Sequence, residues 1–187
     1  MPMPPPPELS ALSLAEIARW SADSKLPPVD SWNPDHCCDS EMRIARDGTW
    51  FHQGSPITRP EMVRLFATVL RREADGSHVL VTPVEKLAIV VEDAPFVAVE
   101  LKAEGDGADA QLAFRINTGD LVVAGPDRPL HLIDATDGPR PYLRVRGQLD
   151  ALIARPVFYE LVERAVTSPD GRTGVWSDGA FFALEAG

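Results

Sequence analysis

Residues 47–61 read Asp-Gly-Thr-Trp-Phe-His-Gln-Gly-Ser-Pro-Ile-Thr-Arg-Pro-Glu, and the same stretch runs on through an amphipathic segment to Asp75-Gly76, Thr82-Pro-Val-Glu-Lys86 and Val91-Glu-Asp-Ala-Pro-Phe96. Glycine tolerates positive φ, so Asp47-Gly48 between residues 42–46 and 49–53 predicts a tight type I′ hairpin. Thr58 and Glu61 have capping-box spacing, and Pro60 falls in a first helical turn, where its missing N–H costs nothing. Met62, Leu65, Phe66, Val69 and Leu70 then form a helical apolar stripe. The helix should end near Arg71 and Arg72, whose charges suit the C-terminal end of the dipole. Asp75-Gly76 stops it, and residues 78–82 read as a strand.

Downstream the texture turns to β. Leu87, Ile89 and Val91 alternate, as do Val97, Val99 and Leu101. For both sets to face one core, odd positions must pair with odd, such as Val91 with Val97, leaving a loop over 92–96. Leu112, Phe114 and Ile116 continue the alternation, followed by residues 121–123, 130–133 and 142–146. Gly, Pro and Asp clusters separate these runs, so they make a meander that curls into a roll or partly open barrel. Leu149, Leu152 and Ile153 precede Pro156, after which Phe158, Leu161, Val162 and Ala165 repeat at helical spacing. Pro156 kinks this closing helix or starts it anew.

Upstream, Ser13 and Glu16 form another capping box, with Leu14, Ile17 and Trp20 on roughly one helical face. Pro27, Pro28 and Asn33-Pro34 mark the loop that leads into the main body. The order helix, Asp-Gly, strand occurs at 60–82 and again at 156–177, and residues 46–51 resemble 177–182. Duplication explains the echo, and so does the commonness of such turns.

The 187 residues carry 18 basic and 28 acidic side chains, a net charge of −10 that repels nucleic-acid polymers and acidic lipid over most of the surface. Residues 1–8 lack the basic start and apolar run of a secretory signal, and no apolar run reaches the length of a membrane span. The two cysteines, Cys37 and Cys38, are adjacent and cannot staple distant segments, which fits a reducing cytoplasm.

The blocks Asp47-Gly-Thr-Trp-Phe, Gly54-Ser-Pro-Ile, Thr82-Pro-Val-Glu-Lys and Val91-Glu-Asp-Ala-Pro-Phe together resemble the bacterial domain of unknown function 1285 family. Asn117-Thr-Gly-Asp, Pro141-Tyr-Leu-Arg-Val-Arg and Phe158-Tyr-Glu-Leu extend the likeness over roughly residues 13–184. The resemblance implies an α+β fold: an α/β roll followed by a β-roll superficially like pleckstrin-homology domains, with a duplicated structural core. The expected division is an arm with a short helix at 1–30, the α/β roll at 31–84, and the β-roll with its closing helix and hairpin at 85–187. The resemblance also implies a ligand site between the two domains, with a nucleotide-like ligand and a role in signal transduction. Where the family pattern has Cys-Gly, this chain has Cys37-Cys38.

Arg115, Arg144 and Arg146 lie opposite the apolar faces of their strands, and Tyr142 neighbours two of them. Residues 115–146 carry five arginines against four aspartates, while 71–110 carry four basic against nine acidic residues. A locally basic sheet face in an acidic protein suits phosphate, because guanidinium pairs with it bidentately; interdomain ion pairing explains the same arginines. Glu92 and Asp93 sit in a loop, where carboxylates accept hydrogen bonds from ligand or backbone alike. Lys86 and Glu85 point to opposite faces and are no ready-made acid–base pair.

Trp50 and His52 share a face opposite Phe51. If Phe51 is core, Trp50 and His52 face outward or toward the second domain, where they would stack on a base or pack between domains. Asn117 joins the candidate set through its block. Asp35, His36, Cys37, Cys38 and Asp39 are metal-type donors, but adjacent residues rarely converge on one ion, so no metal and no cofactor is expected.

No nucleophile elbow or phosphate-binding glycine loop is present. The leading expectation is therefore a cytoplasmic, non-enzymatic ligand-sensing or regulatory module with a small anionic ligand between its domains, ringed by Trp50, Lys86, Arg115 and Arg144. The alternatives are a protein-interaction module using sheet edges or the hairpin at 174–184, and an uncharacterised hydrolase.

Overall fold

The computed structural model describes residues 9–23 and 26–185. The proline-rich start of the expected arm, residues 1–8, and the Trp20 side chain lie outside the described residues. The first capping box forms as expected. Ser13 N–H donates to Glu16 Oε2 at 2.7 Å, and Glu16 N–H donates to Ser13 Oγ at 3.3 Å. It opens α1 (Leu14–Asp23), which buries Ile17 against Ala113 and Leu121 in a small satellite core.

The first sheet is built from β1 (Cys37–Ile44), β2 (Trp50–His52), β3 (Ser55–Pro56), β4 (Leu70–Arg72), β5 (His78–Val81) and β6 (Lys86–Val91), with α2 (Pro60–Thr68) between β3 and β4. Its spatial order is β3-β2-β1-β6-β5-β4, and β1 runs parallel to β6. The second sheet comprises β7 (Phe96–Glu104), β8 (Gln111–Ile116), β9 (Leu121–Val123), β10 (Leu130–Ile133), β11 (Arg140–Arg146) and β12 (Leu149–Ile153). Its order is β10-β11-β12-β7-β8-β9, with β7 parallel to β12. Next come α3 (Arg155–Glu163) and a small meander of β13 (Val166–Thr167), β14 (Thr173–Ser177) and β15 (Ala180–Ala183). One apolar core runs through both large sheets and reaches Val175 and Phe182 of the meander. The expected α+β class holds. The helix-then-meander order is also seen twice, as α2-β4-β5-β6 and α3-β13-β14-β15.

Several local expectations are corrected. Val91 does not pair with Val97: β6 pairs with β1 and β5, whereas β7 pairs with β8 and β12. Residues 92–95 carry the chain from one sheet to the other, so β6, expected beyond the boundary at 84, belongs to the first sheet. Only the first three residues of β7 are covered on both faces, so Phe96, Val97 and Ala98 are all buried while Val99 is exposed.

The helix at 60–72 stops at Thr68, and Arg71 and Arg72 lie on a strand. Thr58 and Glu61 form no capping box, since Arg59 holds the cap position without a side-chain bond. Leu65 and Met62 of the predicted stripe are exposed, and Ala67 and Leu70 are buried. Residues 149–153 form strand β12, and Pro156 starts the closing helix anew.

The Asp47-Gly48 hairpin exists, but only Gly48 takes positive φ (88°), and its N–H donates to Ala45 O at 2.9 Å. Both central residues of a type I′ turn need positive φ, a condition met instead at Gln53-Gly54 and Asp178-Gly179. The turns at 47–48 and 178–179 are thus unlike, and the match between 46–51 and 177–182 is one of residue type alone.

Candidate functional site

The passage between the sheets turns on two consecutive carboxylates. Glu92 accepts from Arg43 Nη1, and from the Arg46 N–H at 3.1 Å, so it ties residues 92–95 back to the first hairpin. Asp93 points into the second sheet. It accepts from the Tyr142 hydroxyl at 2.5 Å and from Arg140 Nη1 at 3.4 Å, with Arg46 Nε at 4.0 Å. Tyr142 is only 6% exposed. Burial, reinforced by the hydrogen bond and negative charge of Asp93, pushes its hydroxyl pKa up to about 12.

The ring of His131 stacks on Tyr142, with centroids 5.7 Å apart, and leads to a second carboxylate. Asp150 is buried. It accepts from Arg144 Nε at 2.6 Å and has His131 Nε2 at 3.5 Å. Burial works to raise the Asp150 pKa, but the bonds from His131 and Arg144 outweigh it and hold the carboxyl below its ordinary value. Arg144 also donates to Gly147 O at 3.2 Å and Gln148 Oε1 at 3.3 Å, so its guanidinium is spent on internal partners.

A cleft of about 530 Å³ opens where β4 of the first sheet meets the β11–β12 turn of the second, with residues 26–31 along its rim. Arg71, Arg72 and Arg146 line it, alongside Asp30. Arg71 is occupied: it donates to Val29 O and Trp32 O at 2.7 Å each and to Glu73 at 2.7 Å, pinning the rim loop. Arg146 lies over the Phe96 ring at 5.2 Å and donates to Ala67 O; the nearest carboxylate, Asp120, is 3.9 Å away. Burial lowers its pKa, and Asp120 offsets only part of that effect. Arg72 is exposed and forms no ion pair among the described residues. Its charge is felt by His78, its cross-strand neighbour, whose pKa is lowered first by burial and then by Arg72, against an opposing pull from Asp150.

The structure therefore disperses the predicted ring. Trp50 is 1% exposed and stacked on Phe66, facing the core with Ile44 and Met42, because α2 covers that face of the hairpin. Its indole N–H is buried with no partner among the described residues, and nothing in the structure explains this. Phe51 takes the other face under the guanidinium of Arg43 at 4.2 Å. His52 is exposed at the far end of the hairpin. Lys86 is half-buried at the start of β6, away from residues 92–95.

Arg115 binds Glu100 at 3.0 Å. Asn117 Oδ1 accepts the Val97 N–H at 3.0 Å, a structural bond. A bulge between Arg144 and Arg146 breaks their common register, so only Arg146 of the predicted arginines reaches the cleft. In the hairpin at 174–184, Phe182 joins the core, and Trp176 packs edge-to-face on Phe181 at 5.3 Å. Sequence reasoning missed His78, His131, Arg140 and Asp150, and read Arg71 and Arg72 as helix-end cations. The run Leu149-Asp-Ala-Leu-Ile153 held the one usable signal, an acid inside an apolar strand.

Two six-stranded mixed sheets, joined by one short passage and sharing a polar seam, define a two-domain α+β protein. Residues 27–94 match the N-terminal domain profile of the domain of unknown function DUF1285, and residues 95–184 match the C-terminal domain profile of the same family. The chain belongs to the DUF1285 family.

A crystal structure of a DUF1285 family protein from Silicibacter pomeroyi DSS-3 is 49% identical, with a TM-score of 0.80, over 91% of this chain and 93% of that one. A second, from Shewanella baltica OS155, is 25% identical with a TM-score of 0.52, over 66% of this chain and 91% of that one. Among proteins with curated descriptions, none matches.

Proposed function

We propose that this protein is a non-enzymatic regulatory module of the cytoplasm that binds a small anion, of the size and charge of a nucleotide, in the cleft between β4 and the β11–β12 turn. One observation carries the reading. Guanidinium groups from both sheets line a cleft of ligand size, and Arg72 is unpaired among the described residues while Arg146 is desolvated, with one backbone carbonyl and a loose ion pair at 3.9 Å for partners. Guanidinium is suited to phosphate by its planar fork of donors. An anion bridging Arg72 and Arg146 would sit against the rim loop that Arg71 pins, and so report its presence through that loop. The site moves accordingly from Arg115 and Arg144, which already hold Glu100 and Asp150, to Arg72 and Arg146.

Thermal-shift and calorimetric titration with inorganic phosphate, pyrophosphate and adenine and guanine nucleotides tests this. A ligand at about one hundred times its Kd stabilises the folded state by about 2.7 kcal/mol. The Arg72→Glu chain should lose that stabilisation while keeping its unliganded melting temperature. Equal shifts in parent and Arg72→Glu, or none with any of these anions, would overturn the assignment.

A further inference from the structure

The pair His36–Cys38 lies at the start of β1, outside the seam and the cleft. Residues two apart on an extended strand share a face, so His36 and Cys38 point one way and Cys37 the other. The Cys38 Sγ is 3.2 Å from His36 Nε2, within hydrogen-bonding reach for sulfur. The backbone there is held firmly: Lys86 N–H donates to His36 O at 2.8 Å, and Cys37, Cys38 and Asp39 register against Lys86, Leu87 and Ala88. Strand β2 pairs with β1 only from Met42 onward, which leaves the other flank of residues 37–39 without a neighbouring strand among the described residues. Both thiols and the imidazole are exposed. Two acids flank the pair: Asp35, next to His36, is exposed, and Asp39, next to Cys38, spends Oδ1 on the Glu41 N–H at 2.8 Å.

We infer that Cys38, with His36 as its proton acceptor, is a site of reversible thiol modification by low-molecular-weight disulfides. The thiolate is the nucleophile of thiol chemistry, and a neighbouring imidazole supplies it by taking the proton. The S–H proton of Cys38 passes to His36 Nε2, and Sγ attacks one sulfur of the disulfide. A new Sγ–S bond forms and the reagent's S–S bond breaks. Its second half leaves as a thiolate, which takes the proton back from the imidazolium. Cys38 is oxidised to a mixed disulfide while one half of the reagent is reduced to a thiol, and an excess of that thiol reverses the reaction. Cys37 is the built-in control, also exposed but turned to the opposite face from His36.

The test uses oxidised glutathione on the full chain, followed by intact-mass spectrometry over a range of pH, in the Cys37→Ser and Cys38→Ser chains. The lone thiol at position 38 should react at least about tenfold faster near neutrality than the lone thiol at 37, a modest gain for a thiol with a positioned proton acceptor. His36→Gln in the Cys37→Ser background should bring the rate down to that of Cys38→Ser. It should also change the dependence of that rate on pH, since the proton acceptor is gone. Equal rates for the two cysteines overturn the inference, as does an unchanged rate or pH profile after His36→Gln. These positions are exposed, so melting temperature should not move. If His36→Gln does unfold the chain, the comparison of pH profiles between the two single-cysteine chains decides the matter alone.

Discussion

Replacing Tyr142 by phenylalanine removes one oxygen from the joint between the sheets and leaves the ring's packing on His131 in place. The lost hydrogen bond goes to a charged acceptor, Asp93, at 2.5 Å, and such bonds contribute about 1.5–3 kcal/mol. Asp93 keeps Arg140 at 3.4 Å, so its carboxylate is not left bare, and the lower part of that range applies. We expect a loss of about 2 kcal/mol, which for a chain of this length lowers Tm by roughly 4–8 °C.

Asp93→Ala should cost somewhat more, about 2–3 kcal/mol, because it leaves the buried hydroxyl without its charged acceptor, while Arg140 keeps Asp137 at 3.0 Å. In the double-mutant cycle the two changes should couple by about 1–2 kcal/mol. The pH dependence is a sharper reading. Tyr142 titrates at about 12 when folded against an ordinary value of 10.0, so the folded state binds its proton more tightly. The resulting stability is fully present below pH 10 and is lost as pH rises toward 12. Thermal and urea denaturation of parent and Tyr142→Phe chains across this window measure both effects. A Tm change under about 1 °C, or an alkaline loss of stability identical in the two chains, would refute the placement of this bond at the joint.

Three further substitutions test contacts around the seam. Gly48 and Gly54 both take positive φ, but a Cβ at Gly48 would sit 2.5 Å from Asn117 Nδ2 and 3.1 Å from Val97 Cγ2, whereas one at Gly54 meets nothing within 4 Å. Gly54→Ala should therefore cost only the left-handed backbone penalty of about 1–2 kcal/mol, and Gly48→Ala clearly more, by urea denaturation; equal costs would mean the first turn does not rest on the second sheet. His78 has a folded pKa below its ordinary 6.5, so its contribution is present above pH 6.5 and is lost as pH falls through the folded value. Arg72→Gln removes one of the causes, and the His78 resonance followed by NMR should then titrate at higher pH; an unmoved midpoint would place the Arg72 guanidinium elsewhere.

Much of the secondary structure was legible because each signal is local. Ser13 and Glu16 close their box within one turn, and the hairpin around Asp47-Gly48 needs only a glycine able to take positive φ. Partner choice was not legible. Alternation states which residues share a face but not which strand lies beside them, and both parallel pairings join strands distant in sequence, β1 with β6 and β7 with β12. Trp50 shows the same limit at the scale of one residue. Its face opposite Phe51 was read correctly, but which of the two faces is core depends on where α2 docks. The candidate site suffered from two errors of element type. Reading residues 69–72 as helix hid two cleft arginines, and reading 149–153 as helix hid the acid that neutralises Arg144.

The two acids at 92 and 93 constrain how any ligand in the cleft could act. Consecutive side chains of an extended segment point to opposite sides, and here one carboxylate is tied to Arg43 and Arg46 while the next is tied to Tyr142 and Arg140. Opening the sheets about residues 92–95 would have to break a charge-assisted bond on one side or the other, and each such bond is worth about 1.5–3 kcal/mol. A ligand must supply at least that much differential affinity to drive a hinge. Movement of the rim loop at residues 29–32 needs less. Arg71 holds that loop through two backbone carbonyls, next to the exposed Arg72, so an anion at Arg72 would compete for the neighbouring guanidinium before it strained the joint. On this reasoning the rim loop, and not the angle between the sheets, is the element whose hydrogen exchange should respond first to an anion in the cleft.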